Sequence, residues 1–437
     1  MATELTRVRA YVEKHPEEVL TTLYHHVTDV DNLRSCFESL DGAKAVGIDG
    51  VTKEEYRKEL DGNLLDLSAR LKRMGYLPQS KRRSYIPKPG SEKGRPLAIS
   101  VFEDKIVELA VKRVLEQIYE PVFLDCSYGY RESRSPHQCI DAIGKTIQQK
   151  RINHVVEADI RSFFDRLNWE WIGKFLRHRI GDERLLRLIT RMLNAGIMED
   201  GLTHASEEGA PQGSIVSPIL SNVYLHYALD LWFERRVKPN AKGEAHLFRF
   251  ADDFLGAFQF KEEAEAFERN LKDRLEGFNL EIAPEKTRRM ECGPYAVQHA
   301  KRKDEKRPMF TFLGLTHYCG RTRFGVFKVK RCTSIKKIRT KLREYKEWIG
   351  KARAIMKTGA LMRSAKARLQ GHLNYYAITD NSRMCNLYHY WFTRITFKWL
   401  NRRSQRQSYN WQEFHQMLID VNWPKPRIRV NLCPFQV

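Results

Sequence analysis

Three carboxylates stand in company that carboxylates ordinarily avoid. Asp159 closes the apolar run VVEAD, and Asp252 and Asp253 lie between Phe250 and Phe254 in RFADDFLG. A carboxylate among apolar strand residues is costly unless something compensates it. A divalent metal is the natural compensation, because hard Mg²⁺ takes oxygen ligands. Asp159 and Asp252 are distant in the chain, so only neighbouring strands would unite them. Two acidic strand ends paired in this way would form a two-metal site for phosphoryl transfer, one ion activating the attacking hydroxyl and both stabilising the displacement at phosphorus. An Asp-Asp pair in a turn is by itself common turn chemistry. The distant strand Asp and the basic segments described next give it weight.

The elements that would position these acids are readable in outline. Residues 1–75 have helical periodicity, with turns expected at Asp49-Gly50 and Asp61-Gly62. SKRRSYIPKPGSEKGRPLAIS, residues 80–100, reads as a basic hairpin with its tip near Gly90. A long helix is expected over 102–120, a buried strand over 153–160 and helices over 168–196. The loop GAPQGSIVSP leads into a helix from Pro218 to Arg235. HLFRF and FLGAFQF flank ADD as a β-hairpin, with Phe254, Gly256, Phe258 and Phe260 alternating against Leu255, Ala257 and Gln259. A helix over 261–277 follows, and FTFLGLTHY reads as a further strand.

Lys and Arg number 76 against 54 Asp and Glu, a net charge of +22 over 437 residues. The excess is concentrated: residues 330–437 hold 23 basic and 5 acidic residues. A nearly neutral body with a strongly basic tail points to a polyanion, most often nucleic acid. Ile335, Ile338, Leu342, Tyr345 and Ile349 share one helix face, while Lys336, Lys337, Lys341, Arg343 and Lys346 lie mainly off it. Such a helix can pack on its apolar stripe and offer cations to phosphates. The eight cysteines are scattered without CxxC, so reduced thiols and a cytoplasmic location are expected. The N-terminal residues have no apolar core of a signal peptide, and no apolar run is long enough to span a membrane.

The order of motifs resembles that of a reverse transcriptase of the group II intron-encoded, maturase-like lineage. VGIDGV at 46–51 resembles its N-terminal extension block, IPKPG and GRPLAI within 86–99 its first fingers motif, and SYGYRESRSPHQCIDAI at 127–143 its second. EADIRSFFD at 157–165 resembles the first palm motif, GAPQGSIVSPILSN at 209–222 the fourth block and RFADD at 249–253 the catalytic hairpin. EKTRRM at 285–290 and FLGL at 312–315 resemble the last two blocks. The tail GHLNYYAI to FKWLNRR resembles the thumb and maturase-specific X region.

The resemblance implies an α+β right-hand polymerase. A helical N-terminal extension would occupy 1–75, fingers and a ferredoxin-like palm 76–329, and a basic helical thumb and maturase-like region 330–437. It implies Asp159, Asp252 and Asp253 as catalytic acids. Asp159 and Asp252, with the Ile160 carbonyl, would hold two Mg²⁺ ions (Mn²⁺ as a substitute), and Asp253 would lie near the primer end. Lys88 and Arg95 would hold the incoming triphosphate, where cations offset developing charge. Phe163 would be the aromatic gate that excludes a ribose 2′-OH, with Phe164 in the core. Gln212 would sit near the templating pair and Lys286 near the nucleotide or primer. Arg131 and Arg134, with Lys336, Lys337 and Lys341 of the tail, would hold nucleic acid. The implied partners are an RNA template and primer, dNTPs and a structured RNA; oligomeric state is left open.

The pattern departs from the family at Phe250, where the hairpin usually carries Tyr. No HNH-type cluster and no RNase H carboxylate set is evident, so a DNA endonuclease domain is not expected. His25-His26 reads as helix surface, and His389 as packing or RNA contact. The aromatic residues Tyr375, Tyr376, Tyr388, Tyr390, Trp391, Phe392 and Trp399 read as helix core, one or two of them available to stack on unpaired bases. Two rivals share the same acids: a maturase acting mainly as an RNA-binding splicing cofactor, and a domesticated enzyme in antiphage defence or DNA repair.

Overall fold

The computed structural model describes residues 2–86, 94–199, 202–204, 208–210, 212–402 and 408–432. Packing divides the chain into two units, one of residues 1–135 and 156–289, the other of 136–155 and 290–437. The 330 position taken from charge lies inside a strand, Phe327–Cys332, of the second unit.

The first unit is organised around the helix Phe102–Tyr119. Ile106, Val107, Ala110, Val111, Val114, Leu115 and Ile118 are all fully buried. This broad apolar face must be covered, and the helices Ala2–Lys14, Tyr24–Thr28 and Val30–Ser39 pack on the helix, while Lys105, Lys112, Arg113 and Glu116 lie on its remaining, partly exposed face. Asp29 caps the last of these by accepting from the Asn32 N–H, and Thr52 with Glu55 forms a capping box at Lys53–Arg57. Asp49-Gly50 is a turn, with Gly50 at φ +71°. Asp61-Gly62 is not: both residues lie in the first turn of the helix Leu60–Lys72. There an acid is favoured by the helix dipole, and the first N–H groups need no helical partner.

The basic hairpin is formed by β1 (Lys81–Ile86) and β2 (Arg95–Ile99), antiparallel, with Ile86 opposite Arg95. Its expected tip at Gly90 lies outside the described residues. Strand β3 (His154–Asp159) falls where the apolar run placed it. Two short strands absent from the sequence reading, β4 (Ile197–Glu199) and β5 (Leu202–His204), extend the hairpin into a sheet of order β2-β1-β4-β5. Strands β6 (Ala245–Phe250), β7 (Asp253–Phe258) and β8 (Arg288–Glu291) complete a second sheet, ordered β6-β7-β3-β8. Strand β7 lies between two others and its Phe254 to Phe258 are buried on both faces, whereas Phe260 is outside the strand and exposed. The helix expected from Pro218 to Arg235 runs from Ser217 to Asn240 through two π-helical turns, His226–Asp230 and Phe233–Val237.

One buried ion pair ties these parts together. Lys81 Nζ lies 2.7 Å from Glu108 Oε1 with both side chains sealed from solvent. Glu108 also accepts from Ser100 Oγ and from the Ile215 N–H, each at 2.8 Å. Burial raises the Glu108 carboxyl, but Lys81 and these hydrogen bonds outweigh it and hold the group below its usual range. A single carboxylate therefore fixes β1, the start of the central helix and the loop that carries Gln212.

The second unit packs helices beside a three-stranded sheet. FTFLGLTHY is a hairpin, not one strand: β9 (Met309–Phe312) and β10 (Leu315–Arg321) pair with Phe312 opposite Leu315. Leu313 and Gly314 turn between them at φ +48° and +75°, a two-residue turn with both φ positive. Strand β11 (Phe327–Cys332) pairs with β10, and the helix Pro136–Gln149 lies against it. The helices Ile335–Ile355, Thr358–Tyr376, Ser382–Leu400 and Trp411–Asp420 follow. Of the apolar stripe read from the sequence, Ile338, Tyr345 and Ile349 are buried and Ile335 is exposed. Asn381, fully buried, donates to Thr333 Oγ1 and the Tyr376 carbonyl and accepts from the Thr333 N–H, joining the sheet to two helices.

Seven described cysteines are free thiols. No helix among the described residues is long and apolar enough to cross a membrane.

Candidate active site

Strands β6 and β7 bring Asp252 and Asp253 to one end of the second sheet. Phe250 pairs with Asp253, so Ala251 and Asp252 alone make the turn. Ala251 adopts φ +58°, a left-handed conformation that costs a non-glycine residue about 1 kcal/mol or more. Two contacts hold it there. Arg249 Nη1 donates to the Ala251 carbonyl at 3.1 Å. Gly129 presses on the other side: a Cβ at that position would lie 2.3 Å from the Ala251 nitrogen, so the turn admits glycine alone.

Arg249 is wholly buried and every donor it has is used. It grips Asp230 at 2.8 and 2.6 Å, Asn222 Oδ1 at 2.9 Å and Ser127 Oγ at 2.7 Å, besides Ala251. Asn222 in turn donates to the Gly129 carbonyl at 2.7 Å. The Arg249 backbone pairs with the 126–128 segment through bonds of 2.7 and 2.8 Å. Asp230 comes from a π-helical turn, a departure that re-aims a side chain.

Strand β3 delivers Asp159 to the same place. Asp253 and Asp159 share a side-chain hydrogen bond, and the charges of Asp159 and Asp252 act on one another. Burial and the Asp159 charge push the Asp252 carboxyl up, opposed by Lys286 and Arg95. Burial, the Asp252 charge and the bond to Asp159 push Asp253 up to about 7. Asp253 is exposed at its surface, yet the protein around it removes part of its hydration, the first cause of its shift. Burial first, and the charge of neighbouring acids second, are the conditions that raise a carboxyl pKa, and both act on Asp252 and Asp253.

Lys286 supplies a partial counter-charge. The turn from Ala283 to Thr287 returns its ammonium to Asp159 Oδ2, and the contact raises the amine above its ordinary range. The same segment pairs with β3: Ala283 N–H donates to the Asp159 carbonyl and Arg161 N–H to the Glu281 carbonyl. That is the pattern of a non-hydrogen-bonded antiparallel pair between Ile160 and Ile282. The Ile160 carbonyl therefore points away from Ile282, to the side of β3 on which β7 lies.

The other residues expected at the site divide. Arg95, exposed on β2, acts electrostatically on Asp252, and Tyr130 feels Asp252 and Asp253. Tyr130 was missed: it is half exposed at φ +57°, which its residue type does not announce. Gln212 is anchored next to β2, its carbonyl accepting from Ala98 N–H at 2.6 Å. Lys88 lies outside the described residues. Phe163 is 2% exposed and belongs to the main apolar core, whereas Phe164 is only partly buried. The less buried ring is the second of the pair, whereas the sequence reading placed the gate on the first.

Arg131 is also reassigned. Its guanidinium binds Glu120 and the carbonyls of Glu120, Leu124 and Ser127, with 5% of the side chain exposed. With its donors spent internally, it braces the loop instead of holding template. Arg134 is more open, paired with exposed Asp125 at 2.6 Å and lying over the Tyr128 ring. In the second unit Lys336 is exposed, while Lys337 and Lys341 lie 5.9 and 5.5 Å from the centre of the Tyr376 ring. His25 is exposed and His26 half-buried on a short helix, their rings tilted with centres 3.8 Å apart, which agrees with a helix surface, while burial holds His389 below its usual pKa, as in a packing residue.

Residues 86–317 match the family model described as reverse transcriptase (RNA-dependent DNA polymerase). The chain belongs to the reverse transcriptase family. It is similar to the group II intron-encoded protein LtrA of Lactococcus lactis, 36% identical over 230 residues, 51% of this chain and 37% of that protein. It is similar to protein YkfC of Escherichia coli, 31% identical over 318 residues, 66% of this chain and 80% of the relative. A shorter match, 29% over 121 residues, is to nuclear intron maturase 3 of Arabidopsis thaliana, 28% of this chain and 17% of the relative. The match thus spans little more than a third of the Lactococcus protein's length. These relatives place the reverse transcriptase chain in the group II intron-like branch, whose fold is the right-hand polymerase. Mixed helix and sheet agree with that α+β class.

Proposed function

We propose that the protein is an RNA-directed DNA polymerase, extending a primer with dNTPs on an RNA template. The observation that carries this is the convergence of Asp159, Asp252 and Asp253, with Lys286 and Arg95 as the cations acting on them. In this reading the sheet β6-β7-β3-β8 is the palm and the hairpin β1–β2 part of the fingers.

The site suits Mg²⁺. Three carboxyls act on one another with Lys286 as a partial counter-charge, and among the described residues no three His, Cys, Asp or Glu side chains form a ready-made metal cage. Mg²⁺ needs no such cage, since it takes one or two carboxylates and completes its shell with water and substrate phosphates. Asp159 and Asp252 would hold it, with the Ile160 carbonyl beside them. Two bound ions would lower the pKa of the primer hydroxyl and offset charge at the transferring phosphorus. Lys286 must leave Asp159 when a metal binds, which frees its ammonium for the nucleotide or primer. Arg95 then meets the triphosphate from β2, and Gln212 is held beside it by the Ala98 bond. Phe164, the less buried ring, is the better candidate for excluding a ribose 2′-OH.

Primer extension on an RNA template with dNTPs and Mg²⁺ tests the reading. Asp252→Ala should abolish incorporation and leave RNA affinity nearly unchanged; synthesis retained by that variant removes the assignment. A maturase role is favoured by one observation, the excess of 23 basic over 5 acidic residues from Lys330 onward. Splicing of an intron RNA by Asp252→Ala protein would identify that role independently of synthesis.

A further inference from the structure

The helices Ile335–Ile355, Thr358–Tyr376 and Ser382–Leu400 line an open cavity of about 450 Å³ in the second unit. That is within the usual range of ligand pockets, about 300–1,000 Å³, and too small for a duplex. Its wall is flat and aromatic. His372 stacks against Tyr388 with ring centres 3.5 Å apart and planes 14° apart, and against Tyr376 at 4.7 Å with planes 30° apart. Burial and the Lys341 charge push His372 down to about 3, so its ring is neutral and offers one donor and one acceptor. Its Nδ1 is buried without a partner. Lys341 and Arg368 line the cavity, with Glu344 as a carboxylate among them. Gly371 also lines it, and a Cβ there would meet nothing within 4 Å.

We propose that this cavity captures one unpaired nucleobase of a single RNA strand, with the adjoining phosphate held by Lys341 and Arg368. The inference rests on the reading of the protein as an RNA-binding polymerase. Aromatic faces stack on bases of any sequence. A neutral imidazole with an unused nitrogen can pair with a base edge, which carries both donors and acceptors. Cations at the rim suit the phosphate that a base always brings with it, and the basic excess of this region draws the strand in. Duplex bases are hidden in the stack, so the site selects loops, bulges and ends.

The test is photocrosslinking of the full-length protein to a short single-stranded RNA carrying one 4-thiouridine, with adducts mapped by mass spectrometry. Adducts are expected on peptides from the helices Thr358–Tyr376 and Ser382–Leu400. Gly371→Leu, which improves helix propensity while filling the mouth, should lower their yield about tenfold, the scale of one lost base stack. Arg368→Ala, a change of an exposed side chain, should lower it as well, and thermal melting of both variants confirms folding. Adducts only elsewhere, or a yield unchanged in either variant, overturn the inference. Asp252→Ala protein should give the same adducts as wild type, so failure here is separable from failure of the polymerase reading.

Discussion

Arg249 and Asp230 meet in a bidentate ion pair, at 2.6 and 2.8 Å, with neither side chain reaching solvent. The same guanidinium donates to the Ala251 carbonyl, so the pair is the foundation of the turn that carries Asp252. Removing one partner of such a pair strands the other charge, at a cost of about 3–5 kcal/mol. Arg249→Ala should show this in urea unfolding, and the double variant Arg249→Met with Asp230→Leu should lose less than the two single changes added. A single-variant loss below about 1 kcal/mol would contradict the role given to the pair.

Gly129 lies against the other side of the turn, and any side chain there displaces Ala251. Gly129→Ala should lower dNTP incorporation about 100-fold, the scale of an ångström of misplacement in a catalytic group. Single-turnover kinetics would check this; wild-type rates would show that the approach is not needed for the geometry.

The two adjacent phenylalanines should separate by effect. Phe163→Ala, in the core, is expected to cost about 3–5 kcal/mol of stability. Phe164→Ala should leave stability closer to wild type and raise ribonucleotide incorporation. Competition between dNTP and rNTP reads the second effect, and unchanged preference would place the gate elsewhere.

His226, His317 and His372 are buried and held down, chiefly by burial, at about 4, 3 and 3. An unfolded chain takes up these protons near pH 6.5, and the folded one does not until the pH is much lower. The unfolded state thus binds more protons in this window, and stability falls with the pH below about 6.5, by up to about 1.4 kcal/mol per pH unit for each histidine. Unfolding free energies at pH 7.5 and 5.5 measure it. His317→Gln should flatten the slope by about one proton; an unchanged slope would show that His317 is already charged in the fold.

Much of the site was legible because local pattern encodes it. The apolar run before Asp159 and the phenylalanines around Asp252 and Asp253 specify strands with acids at their ends, and the sheet order joins them. What was not legible depends on partners distant in sequence. Arg249 reads as an ordinary strand cation until Asp230, Asn222 and Ser127 surround it, and Lys81 as a surface lysine until Glu108 seals it. Arg131 looked available for template for the same reason. Phe163 and Phe164 are identical in type, so only the backbone after β3 decides which is inside. The Leu313-Gly314 turn escaped notice because leucine seldom takes a positive φ, and β4 and β5 are too short to show alternation.

The central claim is that Asp159 and Asp252 act as one unit on a primer end. The most direct measurement is single-nucleotide dNTP incorporation on a primed RNA template by Asp159→Asn, Asp252→Asn and the double variant. If they act together, each single change should cost about 10²–10³-fold or more, and the double change little beyond either alone. Near wild-type incorporation by either single variant, or losses that multiply in the double, would contradict the account.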